Sequence, residues 1–290
     1  MTRSALVAGL LVLGIGSAIV SGRQAAQPNV AQIEKVKDNL YVIKGGGGNT
    51  AAFVTAKGVV LVDTKNPGWG PAILDKVKSV TDKPVTMILN THTHGDHVGS
   101  NMAFGANVEV VAHENTKTNM MKMDAYKDPA NQPFLPKRTF KDKLSVLEGR
   151  ERIDLYYFGA GHTNGDAIIV FPALRVAHTG DLFSAKGAPL IDANNGGSGV
   201  AYPKTVGEAA ASIKDADTVI PGHADVTDWK TFQEFGSFTK DFLAAVEAAA
   251  KAGKSVDEAA AGLTLATKYP GWNLDRAKDN VAKIYAELKK

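Results

Sequence analysis

One short segment of the sequence contains four potential metal ligands within six residues, directly after a predicted strand. The segment is Thr91-His92-Thr93-His94-Gly95-Asp96-His97, and the strand before it ends at Leu89. Side chains alternate along an extended backbone, so His92 and His94 project from the same side. Gly95 permits a sharp turn that brings Asp96 and His97 toward a neighbouring point. A fold that contains this segment must hold it rigidly at a sheet edge, where it can serve two adjacent metal ions.

Three later segments share one order: a strand, a glycine and then a residue that can bind a metal ion. Their last residues are Gly161-His162, Gly180-Asp181 and Gly222-His223. The chain contains no cysteine, so we expect every metal ligand to be a nitrogen or an oxygen atom. Imidazole and carboxylate ligands suit zinc, and they also suit iron or manganese. The sequence therefore predicts a site for two metal ions, with zinc as the first expectation and iron or manganese as alternatives.

Two histidines fall outside this set. His178 lies three residues before Asp181 on a predicted strand, so we expect it to have a structural role or to support a ligand. For His113 we expect a position on the surface.

Composition excludes some classes of function and indicates a compartment. The formal net charge is only +3, and the basic residues are scattered among acidic ones, so we expect no nucleic-acid partner. At the N-terminus, Arg3 precedes an apolar stretch from Ala5 to Val20, followed by small residues before Pro28. This pattern predicts a signal peptide at residues 1–27, with an uncleaved anchor as the alternative. The mature protein is then periplasmic or secreted, without stable membrane association.

The remaining residues, 28–290, are predicted to form one domain. Residues 40–43 and 52–54 are predicted strands joined by a flexible tip at residues 45–48, and a strand at 59–63 is followed by a helix from Pro71. Further strands are predicted at 85–89, 108–111, 153–157, 167–170, 175–177 and 218–220, with a short helix after Gly99, and a helix and then a loop between 113 and 150. Apolar periodicity predicts two C-terminal helices, one through Phe232, Phe235 and Phe242, the other through Leu274, Val281, Ile284 and Leu288. The predicted fold class is α/β, a four-layer αββα sandwich with C-terminal helices.

The arrangement of these residues resembles the metallo-β-lactamase superfamily. The resemblance rests on the His-x-His-x-Asp-His motif at residues 92–97, then His162, Asp181 and His223, and a strand-end aspartate, Asp63; it extends from about residue 38 to 223. It implies that the first ion is bound by His92, His94 and His162, and the second by Asp96, His97 and His223. It also implies that Asp181 bridges both ions and that Asp63 fixes the motif loop by hydrogen bonds. Asp96 and His223 are the candidate catalytic residues.

The resemblance implies an exported hydrolase with a carbonyl substrate. Two divalent ions that share a water molecule lower its pKa, so a metal-bridging hydroxide attacks an ester, lactone, thioester or amide without a serine or cysteine nucleophile. The aspartate at position 181 resembles the ligand that glyoxalase II has at this position, whereas authentic β-lactamases of this fold usually have cysteine or serine there. We therefore expect any β-lactam hydrolysis to be weak, and a true metallo-β-lactamase is the alternative.

Other branches of the superfamily are distinguished by single positions. Ser184 stands where many quorum-quenching lactonases have tyrosine, and His94 stands where flavodiiron proteins usually have glutamate. An iron-dependent oxidoreductase, such as a persulfide dioxygenase, stays an alternative of another class. Lys251, Lys254 and Lys268 could provide the charge that a glutathione thioester needs, or could simply be solvated.

The segment from Phe183 to Gly199 is the candidate substrate loop, because it follows Asp181 directly. Lys186 could pair with a substrate carboxylate and Asn195 could donate to an oxyanion. With Asn194, these residues are the candidate substrate-loop contacts, and turn formation is the alternative explanation for the asparagines.

Overall fold

The computed structural model describes residues 30–289. The signal peptide predicted at residues 1–27 lies outside this range. Within residues 30–289, no helix combines the length and the apolar character needed to cross a membrane.

The described chain begins with four strands, ends with four helices, and mixes strands and helices between them. The strands are β1 (Gln32–Lys37), β2 (Leu40–Lys44), β3 (Thr50–Val54), β4 (Val59–Val62), β5 (Val85–Leu89), β6 (Glu109–His113), β7 (Arg138–Phe140), β8 (Lys143–Val146), β9 (Ile153–Tyr156), β10 (Ile168–Phe171), β11 (Val176–Gly180), β12 (Thr218–Pro221) and β13 (Thr227–Asp228). The α-helices are α1 (Gly70–Lys78), α2 (Gly95–Val98), α3 (Glu114–Met120), α4 (Asp124–Lys127), α5 (Tyr202–Ser212), α6 (Trp229–Lys251), α7 (Val256–Ala261), α8 (Leu265–Lys268) and α9 (Ala277–Leu288). Short 3-10 turns lie at Asn101–Phe104, Pro129–Phe134, Gly149–Glu151, Pro172–Leu174, Asp181–Phe183 and Ala193–Asn195.

The strands form two sheets. In the first sheet the order is β1-β2-β3-β4-β5-β6-β7, antiparallel from β1 to β4 and parallel from β4 to β7. In the second sheet the order is β13-β12-β11-β10-β9-β8, and only the β11–β12 pair is parallel.

Alternating side chains of the strands pack into separate cores, which explains the layers. Val60 and Val62 of β4 lie in the core between the two sheets. Val59 and Leu61 point to the other face, where they pack with Ile73 of α1. Strand β10 is divided in the same way between the inter-sheet core and a third core under α5, α6 and α9. The predicted αββα sandwich with C-terminal helices is therefore confirmed.

Several predicted elements need correction. The segment from 113 to 150 contains β7 and β8 as well as helices. The short helix was expected after Gly99, but the structure has α2 before Gly99 and only a 3-10 turn, Asn101–Phe104, after it. Strands β1 and β13 and helix α5 were not predicted. Leu274 precedes α9, and Leu288 at its end is 43% exposed. The unpredicted strands are short or polar edge strands, whose pairing depends on backbone hydrogen bonds that leave no apolar pattern in the sequence.

Candidate metal centre

Strand ends of both sheets meet at the site. In the first sheet β4 and β5 are parallel, and in the second sheet β9, β11 and β12 run in one direction. Strands that run in one direction place their carboxyl ends at the same edge. The residues that follow these ends are Asp63 after β4, His92 and His94 after β5, His162 after β9, Asp181 after β11 and His223 after β12.

The first cluster consists of His92, His94 and His162, whose potential ligand atoms all lie within 4.8 Å of one another. His94 Nδ1 is 2.9 Å from His162 Nε2. His162 Nδ1 donates to the carbonyl of Leu190 at 2.8 Å. In the neutral ring the proton is then on Nδ1, and the lone pair of Nε2 is free to bind a metal ion. Burial lowers the pKa of His92 well below its ordinary value and that of His162 to about 4. Both rings are therefore neutral at pH 7, the form that binds a metal ion.

The second cluster consists of Asp96, His97 and His223, again with potential ligand atoms within 4.8 Å of one another. His223 Nε2 is 3.2 Å from Asp96 Oδ2 and 3.3 Å from His97 Nε2. Hydrogen bonds to Asp181 and Asp96 raise the pKa of His223 to about 9. Burial lowers the pKa of His97, but the charges of Asp181 and Asp63 outweigh this and bring it well above 6.5. The carboxylates thus favour positive charge here, which a bound cation would supply.

Asp181 lies between the two clusters. Its Oδ1 is 3.3 Å from Nε2 of both His97 and His223, and its Oδ2 is 3.8 Å from His162 Nε2. Burial penalises the carboxylate, but the charge of His97 outweighs this and holds the pKa of Asp181 well below its usual range. A Cβ on Gly222 would stand 1.9 Å from Asp181 Oδ1, so the glycine before His223 leaves the space that this carboxylate occupies.

Asp63 supports the motif loop from below. Its backbone has φ 61°, and its carboxylate accepts hydrogen bonds from Thr91 N at 2.8 Å and Thr91 Oγ1 at 2.6 Å. The same carboxylate lies 2.7 Å from His97 Nδ1. A histidine that binds metal through one nitrogen is commonly oriented by a carboxylate at the other, and Asp63 is placed to do this for His97.

The residues present fit a pair of metal ions. Within the described chain, His92 Nε2 is buried without a hydrogen-bond partner, an arrangement that is costly unless another group binds the nitrogen. The candidate ligand atoms of the two clusters are imidazole nitrogens and carboxylate oxygens, which suits zinc and also iron or manganese.

Asp192 is a site residue that the sequence did not reveal as such. Its Oδ2 lies 2.7 Å from His94 Nε2, the nitrogen that faces away from His162. The substrate-loop candidates Asn194 and Asn195 donate backbone hydrogen bonds to Asp192, and Asn195 Nδ2 binds Asp192 Oδ2 at 2.6 Å. The structure thus places both asparagines beside the carboxylate that orients His94. Sequence offered no signal for the pair, since His94 and Asp192 are 98 positions apart.

The glycine-rich tip between β2 and β3, which the sequence predicts as a flexible turn, packs against the site. Gly48 N donates to Asp96 O at 3.0 Å, and Gly48 is in close contact with the His97 ring. Lys65 is buried beneath this tip, with its Nζ donating to the carbonyls of Ile43 at 2.7 Å and Gly48 at 2.8 Å. Burial lowers the pKa of Lys65 to about 7.

A cavity of about 520 Å³ opens from the clusters. His94, Asp96, Asp181 and His223 line it beside the candidate metal positions. The remaining lining comes from the loop after Asp181, including Lys186, and from a C-terminal segment that contains Asn273, Asp275 and Arg276. Of the three substrate-loop candidates, only Lys186 is among the described residues that line this cavity. Arg276 also lines it, although the sequence analysis did not select this residue.

The histidines outside the set are both buried. His113 is 2% exposed, its Nε2 donates to Lys141 O at 2.8 Å, and its ring stacks on Tyr157. The predicted surface position of His113 is therefore wrong, because the last residue of β6 turns inward. His178 has the structural role expected: its Nε2 donates to Asn49 O at 3.0 Å, and its Nδ1 accepts from Gly180 N.

Comparison with known proteins agrees with this geometry. The family model of the metallo-beta-lactamase superfamily matches residues 43–223. A similar curated protein is "Metallo-beta-lactamase type 2" of Elizabethkingia meningoseptica, 29% identical over 243 residues that cover 77% of this chain and 90% of that protein.

Solved structures share the fold. A metallo-beta-lactamase from Pontibacter korlensis has a TM-score of 0.61 at 21% identity, covering 72% of this chain and 99% of its own. The sec-alkylsulfatase Pisa1 from Pseudomonas sp. has a TM-score of 0.73 at 16% identity, covering 89% of this chain and 50% of its own. At these identities the likeness concerns the fold alone.

Proposed function

Because the chain belongs to the metallo-beta-lactamase superfamily, we propose that it is a dinuclear metal-dependent hydrolase of carbonyl substrates, with zinc as the preferred metal. The proposed substrates are esters, lactones, thioesters or amides. The observation that carries the proposal is the place of Asp181, whose two oxygens face different clusters.

In this proposal each cluster holds one ion. His92, His94 and His162 would bind the first, Asp96, His97 and His223 the second, and Asp181 would contact both. Two bound ions would supply a water with a pKa near neutrality and would stabilise negative charge on a carbonyl oxygen.

The protein's own side chains orient the ligands and the substrate. Asp63 holds His97, Asp192 holds His94 and the Leu190 carbonyl holds His162, each through the ring nitrogen that faces away from the clusters. Lys186 on the cavity wall supports the proposal of a contact to a substrate carboxylate.

Hydrolysis of β-lactams is the second candidate function, and the curated relatives named metallo-beta-lactamases favour it. We propose that such turnover is weak, because Asp181 stands where the resemblance leads us to expect cysteine or serine in efficient β-lactamases. We also propose export of the mature chain, on the basis of the N-terminal apolar segment alone.

A substrate panel tests these proposals. Zinc-loaded protein is assayed on an aryl ester, an acyl-homoserine lactone, a glutathione thioester, a chromogenic cephalosporin and a phosphodiester, each with a metal-stripped control. We expect ester or lactone turnover that metal removal abolishes. Cephalosporin turnover far above every ester would make β-lactam hydrolysis the main function. Activity on the phosphodiester alone would refute carbonyl chemistry, and a coloured, iron-rich preparation without hydrolase activity would favour an oxidoreductase.

Substitution of Asp181 tests the shared ligand. Asp181→Ala should lose one ion per chain and at least about 100-fold in kcat, since removal of one group that stabilises an oxyanion already costs about that much. Metal content and turnover are measured together, with Asp215→Ala, an exposed aspartate that does not line the cavity, as the control. Two bound ions and full hydrolysis in Asp181→Ala would refute the shared position.

A further inference from the structure

The cavity has a wall that lies outside the part of the chain matched by the family model. That match ends at residue 223, whereas Asn273, Asp275 and Arg276 line the same cavity as Asp96, Asp181 and His223. The C-terminal helices pack on the second sheet, and the segment between α8 and α9 also forms part of the cavity wall.

Backbone hydrogen bonds fix this segment to the loop that follows Asp181. Asn273 N donates to Lys186 O at 3.1 Å, and Ala188 N donates to Asn273 O at 2.8 Å. Gly187 and Asn273 form a parallel bridge. The segment is thus held at the cavity by the same type of pairing that joins strands.

Aromatic packing anchors the segment from the other side. Trp272 is 7% exposed, and its ring stacks on Phe238 of α6 with centroids 4.9 Å apart. Tyr269 OH donates to Asp241 at 2.6 Å. Arg276 follows these anchors by only a few residues, as the N-cap residue of α9, so its backbone position is set by the core.

The side chain of Arg276 is free to bind a ligand. It is exposed at the cavity, and within residues 30–289 no carboxylate lies in ion-pair distance of its guanidinium. The acidic neighbour Asp275 instead accepts a hydrogen bond from Asn273 Nδ2 at 3.0 Å. Lys186 adds a second cation to the lining. A guanidinium presents a planar fork of donors that matches a carboxylate in a bidentate way.

We propose that Arg276 is a specificity-determining residue that binds a carboxylate group of the substrate, at the end of the cavity formed by the C-terminal segment. The preferred substrate is then an anionic ester, lactone or amide whose carboxylate stands apart from the bond that is cleaved. This inference rests on the proposed hydrolase function, and it adds a charge requirement to it.

Two esters with one leaving group test the charge requirement. 4-Nitrophenyl acetate is neutral, and mono-4-nitrophenyl succinate carries one carboxylate. Arg276→Gln should raise KM for the succinate ester roughly 5- to 10-fold, the range between an exposed ion pair and a hydrogen bond to a charged group. Its kcat should not change, and neither constant should change for the acetate ester. For the succinate ester, the KM of Arg276→Lys should lie between those of the wild type and Arg276→Gln. Added salt should reduce the difference in KM between the wild type and Arg276→Gln.

Arg150→Gln is the matched control, because it removes the same charge from an exposed arginine that does not line the cavity. Equal changes on both esters, or no change on the succinate ester, would overturn the proposal. If the wild type cleaves neither ester, the substrate panel decides the proposed function, and calorimetric titration of succinate into the zinc-loaded protein decides the inference separately. Weaker succinate binding by Arg276→Gln than by Arg150→Gln would support the role of Arg276, and equal binding would refute it.

Discussion

Asp63 shows how one residue outside the ligand set can govern the site. Its carboxylate accepts three hydrogen bonds, two from Thr91 and one from His97 Nδ1. Asp63→Asn keeps the shape, and asparagine tolerates the positive φ, so the backbone should persist. The amide can no longer accept all three hydrogen bonds, and we expect affinity for the second ion to fall about 10- to 100-fold.

Competition with a chromophoric chelator measures this loss, and Asp82→Asn, an exposed aspartate, serves as the control. Unchanged affinity for both ions in Asp63→Asn would show that His97 needs no carboxylate behind it.

Single residues were predictable where sequence order and structure coincide. The segment from His92 to His97 is contiguous and follows a recognisable strand, so its ligands could be found directly. Asp192 contacts His94, which is far away in the sequence, and Lys65 is buried against the carbonyl of Gly48. No local sequence pattern predicts either contact. Arg276 was missed for the same reason, because its role depends on where the C-terminal segment packs.

At the scale of elements, the tip between β2 and β3 couples backbone geometry to the site. A Cβ on Gly48 would stand 2.2 Å from His97 Cε1, so Gly48→Ala must displace the ring or the tip. We expect kcat/KM to fall on the order of 100-fold, as a displacement of about 1 Å can cause. The extra methyl group should also lower stability by roughly 1–3 kcal/mol.

Gly207→Ala is the matched control, since a Cβ there meets no atom within 4 Å and the residue lies inside α5. It should leave activity unchanged and stabilise the protein by about 0.5–1 kcal/mol. Kinetics and thermal unfolding of both variants give the comparison. Wild-type activity in Gly48→Ala would mean that His97 tolerates a shifted tip.

Elements were predictable in proportion to their burial. The central strands β4 and β10 are buried on both faces and have apolar sequences that identify them. The edge strand β1 has the sequence QIEKVK, half exposed, and pairs through its backbone with β2. Strand β1 is extended because it pairs with β2, and the sequence of β1 alone does not predict this pairing.

For the whole molecule, the layered architecture followed from the sequence, whereas the connection between the C-terminal helices and the site did not. Asn280 of α9 donates to Pro189 O at 2.8 Å, and Lys283 donates to Ile191 O at 2.7 Å. These two contacts flank Leu190, whose carbonyl accepts from His162 Nδ1. The helical region beyond the family match therefore braces a candidate ligand of the first cluster.

The candidate ligands come from both sheets, so bound metal ions should stabilise the entire domain. His92, His94, Asp96 and His97 follow a strand of the first sheet, whereas His162, Asp181 and His223 follow strands of the second. An ion at 100 times its dissociation constant adds about 2.7 kcal/mol per site to the free energy of unfolding. For a domain of this size that corresponds to roughly 5–10 °C in Tm.

Thermal unfolding of the metal-stripped protein, without and with added zinc, measures this gain, and magnesium is the control because it prefers an all-oxygen site. We expect one cooperative transition that zinc shifts upward and magnesium does not, because the ions would join the two sheets and α9 packs against the loop that holds His162. An unchanged Tm with zinc would contradict the metal centre itself. A zinc-dependent shift in only one of two separate transitions would instead show that the C-terminal helices unfold independently of the site.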